Sequence, residues 1–188
     1  MKEITNINED AWNKETYSAW IERFGTPDDA AKKICKNPSK FLSVLKEKFG
    51  DVGGKKIMNI MGSNGIKAVS LAVLGANVSV VDFSRGNMNY ALDLAEKANV
   101  KINYILSDVL KLPENFITGD YDIVFAEMGI IHYFLDLSPF MNLIYKLLKN
   151  GGTFILRDFH PISTKLITSR GSTAKVRIHK ITGSYFDT

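Results

Sequence analysis

Apolar positions in the first fifty residues recur at helical spacing. Between Ala11 and Phe24 they are Trp12, Tyr17, Trp20, Ile21 and Phe24, and Gly25 supplies a stop. Pro27-Asp28-Asp29 predicts a second helix start, because proline pre-sets φ and carboxylates suit the positive end of the helix dipole. A third helix is predicted from Pro38, with Phe41, Leu42, Val44, Leu45 and Phe49 on one face and Gly50 beyond its end. From Lys55 the rhythm changes. Short apolar runs predict strands at 56–60, 77–81, 101–106, 121–126 and 152–156, and amphipathic segments predict helices at 66–74, 84–98 and 139–148. Strand and helix in alternation imply right-handed crossovers and a parallel sheet. Runs such as Ile123-Val124-Phe125-Ala126 suit strands covered on both faces. The expected fold class is therefore α/β, a doubly wound, mostly parallel sheet with an N-terminal helical cap. The expected division is cap at 1–52, α/β core at 53–160 and a C-terminal segment at 161–188.

A sheet of this kind binds ligands at the carboxyl ends of its strands, where strand order reverses. The first strand-to-helix turn contains Asn59, Gly62, Ser63, Asn64 and Gly65. Small residues there let backbone approach a ligand, and the following helix offers unpaired N–H groups, although a tight turn without a ligand has a similar composition. The second strand ends in Asp82-Phe83-Ser84, with Asp82 placed 17 residues after Gly65. A carboxylate at that point can accept both ribose hydroxyls of an adenosine. The competing role for Asp82 is to assist the helix start, but Ser84 already serves as the cap, so the ribose role is preferred. At the third strand end, the Asp108 carboxylate and the backbone N–H of Val109 can read the edge of an adenine.

Charge and cysteine content narrow the picture. Residues 161–188 hold five basic residues against Asp187 alone, which accounts for the whole net charge of +4. A solvated basic segment is the preferred reading, since it lacks base-reading chemistry, and no nucleic-acid partner is expected. The start of the chain is polar and no apolar run is long enough to span a bilayer, so neither a signal peptide nor a membrane partner is expected. A single cysteine, Cys35, cannot form an internal disulfide, and a cytoplasmic location follows as the expectation. His132, His160 and His179 lack metal-ligand spacing, so no metal is expected.

Together these residues resemble the class I S-adenosylmethionine-dependent methyltransferases over nearly the whole chain. The segment from Leu71 to Ser84 matches the family's LAxxGAxVxxVDxS pattern, Tyr121-Asp122-Ile123-Val124 is similar to its fourth-strand opening, and Leu147-Leu148-Lys149-Asn150-Gly151-Gly152 is similar to its LLKPGG turn. The resemblance implies a Rossmann-like methyltransferase fold, S-adenosylmethionine as co-substrate and a small-molecule acceptor. Ala11-Trp12-Asn13-Lys14 is similar to the cap of some bacterial members, which closes over the cofactor. One of Trp12 and Tyr17, five apart on the expected helix, is therefore expected to cover the cofactor while the other packs on the sheet, with Glu127 near the methionine end. Two departures stand out. The family's D-x-G-x-G-x-G turn reads Asn59-Ile60-Met61-Gly62-Ser63-Asn64-Gly65, with only Gly65 in register. Two further strands implied after the fifth have only a polar, basic stretch to supply them, so C-terminal edge strands are expected to be missing and self-association through the uncovered edge is expected.

For chemistry, His132 is a candidate base because its unperturbed pKa lies near neutrality, and Glu127 is the second candidate. Asp158 and His160 are expected at the same rim. A degenerate, non-catalytic relative remains an alternative, as does a nicotinamide-dependent reductase. The reductase reading draws on the Tyr145-x-x-x-Lys149 spacing but lacks a G-x-G-x-x-G turn.

Overall fold

The computed structural model describes residues 16–160 and the backbone of 167–169 and 179–181. Trp12 and most of the basic segment at 161–188 lie outside the described residues.

Four helices open the described chain: α1 (Thr16–Phe24), α2 (Pro27–Lys36), α3 (Pro38–Leu42) and α4 (Lys46–Phe49). Gly25, at φ +95°, ends α1 in a conformation that favours glycine. Thr26 caps α2 by accepting from the Asp29 N–H at 3.2 Å. The single helix expected from Pro38 is broken. Ser43 takes φ +53°, a 3-10 turn separates α3 from α4, and Val44 is 63% exposed rather than on the apolar face. The break lets Phe41 join one apolar cluster while Leu42, Leu45 and Phe49 join another.

The core alternates β1 (Lys56–Ile60), α5 (Ile66–Val73), β2 (Asn77–Asp82), α6 (Arg85–Lys97), β3 (Ile102–Leu106), β4 (Tyr121–Glu127), α7 (Ser138–Leu147) and β5 (Leu148–Arg157). The strand order is β3-β2-β1-β4-β5, and every neighbouring pair is parallel. Successive residues of the central strands feed opposite faces. Met58, Ile60, Val124 and Ala126 pack with Phe140, Ile144 and Leu147, whereas Ile57, Val78, Val80, Ile123 and Phe125 pack with Leu71 and the α3–α4 segment. β1 and β2 are buried almost throughout, as expected for strands covered on both sides. The third cluster joins Ala30, Ala31 and Ile34 of α2 to Val69 of α5 and to Tyr90 and Leu94 of α6.

Two short strands, β6 (Ile167–Ser169) and β7 (His179–Ile181), pair antiparallel with each other in a separate ladder. The order reverses between β1 and β4, the two strands whose carboxyl ends open the crevice where a ligand can enter.

Candidate functional site

A cavity of about 280 Å³ lies at that crevice. Its inner wall is formed by Met61, Ser63, Asp82, Phe83, Asn87 and Glu127. Its outer wall is the segment after β4, with Met128, Gly129, Ile130, His132 and Tyr133, completed by Phe159 after β5.

The turn after β1 keeps glycine-type backbone at two positions that carry side chains. Met61 and Ser63 stand at φ +51° and +52°, in the left-handed region where a side chain costs roughly 1–2 kcal/mol. The glycines present are needed for packing. A Cβ on Gly62 would stand 2.5 Å from Val80 Cγ1 and 2.7 Å from Asn59 Oδ1, and one on Gly65 would stand 2.5 Å from Ala91 Cβ. Gly62 and Gly65 thus seat the turn on β1, β2 and α6. The Asn64 side chain accepts from the Ile66 N–H at 3.1 Å, Asn59 is buried in β1, and none of these four residues lines the cavity. Tyr104 donates to the Ser63 carbonyl at 2.7 Å, and burial, then the neighbouring Asp82, pushes its phenol well above the usual value. Opposite outcomes are expected at adjacent positions. Ser63→Gly should raise stability by about 0.5–1 kcal/mol, and Gly62→Ala should lower it by about 1–3 kcal/mol, both read by urea denaturation.

Asp82 is 7% exposed and accepts three hydrogen bonds. The Ser63 N–H reaches Oδ2 at 3.0 Å, and the Ser84 N–H and Asn87 Nδ2 reach Oδ1 at 2.9 and 3.1 Å. Burial raises its pKa, and the three donors offset that only in part. Asp82 therefore both braces the start of α6 and faces the cavity. Asn87 in turn accepts from Trp20 Nε1 at 2.8 Å, which links α1 to the site. Phe83 lines the cavity beside Asp82. Ser84 is fully buried as the α6 cap, its hydroxyl accepting from the Asn87 N–H, and is not among the lining residues.

Two further expected contacts are placed differently. Asp108 caps a 3-10 turn through the Leu110 N–H and pairs with Lys111 at 3.1 Å, while Val109 is buried in the apolar core; neither lines the cavity. Tyr17 donates to Asp93 at 2.5 Å and meets the Tyr90 ring edge-on at 5.7 Å, so it packs α1 on α6 and does not line the cavity. That hydrogen bond is the main reason its phenol is pushed up to about 12.

Glu127, the last residue of β4, is 7% exposed at its side chain. Arg157 Nη1 donates to Oε1 at 2.6 Å. Lys67 Nζ lies 2.7 Å from Oε2 as an ion pair without hydrogen-bond geometry. His132 is exposed on the outer wall, its ring 4.5 Å from that of Tyr133. Asp158 is an anchor rather than a free rim carboxylate. It accepts from the N–H groups of Gly129, Ile130, Ile131 and Phe159 at 2.7–2.8 Å, fixing the loop that carries His132. Burial acts to raise its pKa, but the four donors together outweigh burial and hold it below the usual carboxylate value. His160 is exposed and does not line the cavity. Tyr145 is 81% exposed and Lys149 pairs with Asp122, so the reductase-like spacing forms no site.

Asp158→Ala should lower stability at neutral pH by about 1.5–3 kcal/mol, the range for hydrogen bonds to a charged group. A depressed carboxyl pKa contributes stability above the unfolded value near about 3.9, and that contribution is lost as pH falls through the folded value. The gap between wild type and variant should therefore shrink from pH 7 to about pH 3 in denaturant titrations. A gap independent of pH would contradict the anchor role.

Sequence reasoning missed Lys67, Asn87, Tyr104, Arg157 and Phe159. Asn87 had a local signal, three residues beyond the Ser84 cap; Lys67 and Arg157 had none. Among the described residues there is no cluster of His, Cys, Asp and Glu that could hold a metal, and no helix is long and apolar enough to cross a membrane.

A family model described as a methyltransferase domain matches residues 61–156. A ubiquinone biosynthesis O-methyltransferase of Rickettsia bellii is 23% identical over 159 residues, covering 83% of this chain and 60% of that protein. The match thus spans 42–60% of the length of the curated relatives. Among solved structures, an S-adenosylmethionine-dependent methyltransferase from Mesorhizobium loti superposes with a TM-score of 0.58 at 21% identity, over 79% of this chain and 66% of that one. The magnesium protoporphyrin IX methyltransferase of Synechocystis with bound S-adenosylmethionine gives 0.55 at 18% identity, over 77% and 70%. At these identities the superpositions establish the fold, the Rossmann-like methyltransferase fold.

Proposed function

Because the chain belongs to the methyltransferase-domain family, we propose that it forms the cofactor-binding part of an S-adenosylmethionine-dependent methyltransferase acting on a small molecule. The observation that carries this reading is the cavity at the strand-order reversal, walled by two buried carboxylates from different strand ends, Asp82 and Glu127. The residues suit the cofactor. Asp82 faces the cavity at the tip of β2, where it can accept from ribose hydroxyls, and Glu127 lines the same cavity as a carboxylate at the tip of β4. Phe83 offers a ring beside Asp82 for the base. Asp108 and Val109 would contribute at the β3 end only if the Lys111 pair and the 3-10 turn gave way.

When bound, the cofactor supplies an electrophilic methyl group. The chain's own part is to fix an acceptor in line with it and to exclude water. Met128, Tyr133 and Phe159 give the outer wall an apolar, aromatic surface, which favours a hydroxylated aromatic acceptor. The O-methyltransferase names of the curated relatives support an oxygen acceptor. His132, on the same wall, would take the hydroxyl proton. A cytoplasmic location belongs to the same reading.

Titration of the protein with S-adenosylhomocysteine and with NAD tests the assignment. Saturable binding of the first alone is expected; binding of NAD, or of neither, would overturn it. A second reading, a relative that binds cofactor without catalysis, is favoured by Met61, a bulky side chain held left-handed where the family pattern has glycine. Labelled methyl transfer to a panel of hydroxylated aromatics separates the two.

A further inference from the structure

Beyond the last register pair of β4 and β5, Glu127 with Arg157, the two chains part to form the outer wall of the cavity. One more backbone bond joins them, from the Met128 N–H to the Arg157 carbonyl at 2.8 Å. After it the Asp158 carboxylate takes over. Its Oδ1 accepts from Gly129 and Phe159, and its Oδ2 accepts from Ile130 and Ile131. Four donors fill the four lone-pair sites of a carboxylate, so none is left for a substrate. The N–H groups of residues 129–131 converge because Gly129 stands at φ +87° and Ile130 at φ −103°, ψ −54°. A left-handed residue followed by a right-handed one makes a backbone concavity of the kind that receives anions. Here the chain supplies the anion itself.

Apolar burial does little to hold this wall. Ile130 is in the core, but Met128, Ile131, His132 and Phe159 are exposed. A Cβ on Gly129 would stand 3.1 Å from His132 Cε1 and 3.6 Å from Phe159 Cε2, so both rings pack over a residue that Asp158 holds. Resting on the methyltransferase reading above, we infer that Asp158 is a positioning residue for the acceptor. By filling the backbone concavity it sets His132 and Phe159, which follow different strands, as one surface. It touches neither acceptor nor cofactor. Its loss is felt in acceptor turnover and not at the opposite wall, where the hydrogen bonds of Asp82 to Ser63, Ser84 and Asn87 share no atom with it.

The test is chemical rescue. Asp158→Gly removes the carboxylate and leaves room for a formate ion in the vacated concavity. Formate should raise the melting temperature of this variant and leave wild type unchanged, with chloride at equal ionic strength as the control. In labelled methyl transfer to a hydroxylated aromatic, the variant should lose at least about tenfold in kcat/KM for the acceptor and regain most of it with formate. Its affinity for S-adenosylhomocysteine should stay within about twofold of wild type. Full turnover in the variant, or turnover that stays low when formate restores melting, would overturn the positioning role. Melting that ignores formate would overturn the concavity. Asp158→Asn, equal in size but with an NH2 facing two of the four N–H groups, should lose acceptor turnover in the same way. It keeps the test open if Asp158→Gly does not fold, and unchanged turnover in it would count against the proposal equally. Wild type that transfers no methyl group to any acceptor would instead overturn the methyltransferase reading, while the formate effect on melting still decides the concavity.

Discussion

Replacing His132 with glutamine is expected to lower methyl transfer by about a hundredfold or more while leaving S-adenosylhomocysteine affinity unchanged. General-base catalysis contributes on the order of 10²–10⁴ in rate, and glutamine keeps the size and polarity of the side chain but cannot take a proton. His132 stands on the outer wall, away from the Asp82 side where the nucleoside is proposed to bind, so a loss of turnover without a loss of cofactor affinity is the signature of its role. The loop beneath it is fixed by Asp158, and the substitution breaks none of those four hydrogen bonds. The measurement is transfer of a labelled methyl group to a hydroxylated aromatic acceptor, with kcat and KM separated. An unchanged kcat would remove His132 from the chemistry and leave it as a wall residue.

Asp82→Ala is expected to weaken S-adenosylhomocysteine binding by about 1.5–3 kcal/mol, and to destabilise the fold by a comparable amount. Both effects share one cause, because the carboxylate serves the Ser63 and Ser84 N–H groups and Asn87 at the same time as it faces the cavity. Alanine leaves those donors buried without an acceptor. Asp82→Asn removes the charge and keeps one acceptor, enough for the Ser84 and Asn87 donors but not for the Ser63 N–H, which the amide NH2 would face. A pH titration adds a sign. Burial raises the Asp82 pKa, so any stability the protonated carboxyl contributes is present at low pH and is lost as pH rises through the folded value. Ribose hydroxyls need the ionised form as acceptor, so cofactor affinity should fall on acidification, beginning above the usual carboxylate range near about 3.9. Calorimetric titration of wild type and Asp82→Asn across that range should show a slope in the first and none in the second. Equal slopes would assign the pH dependence to another group.

The elements themselves were legible in the chain. The strand and helix spans of the core agree with the periodicity to within a residue or two at most ends, because periodicity, caps and stops are properties of residues a few positions apart. Thr26, Ser84 and Gly25 act locally as their types predict. Pro38 onward was the exception. Val44 fitted an apolar face, but the break at Ser43 answers to two different core clusters, which no local pattern encodes.

The site divides along the same line. By itself the sequence determined the α/β alternation, the carboxylates at the ends of the second and fourth strands, and the departure of the first turn from a glycine-rich pattern. Only the tertiary structure decided what those groups do. It turned Asp108 and Val109 to a turn and the core, set Tyr17 against Asp93, spent Asp158 on backbone N–H groups 27–29 residues away, and brought Arg157 and Lys67 to Glu127. It also showed that Met61 and Ser63 keep the left-handed backbone that glycine would have taken without strain. The reason is physical. A turn or a helix is selected by its neighbours in the chain, whereas the partner of a buried charge is selected by the order in which parallel strands lie side by side, and that order is a property of the whole core.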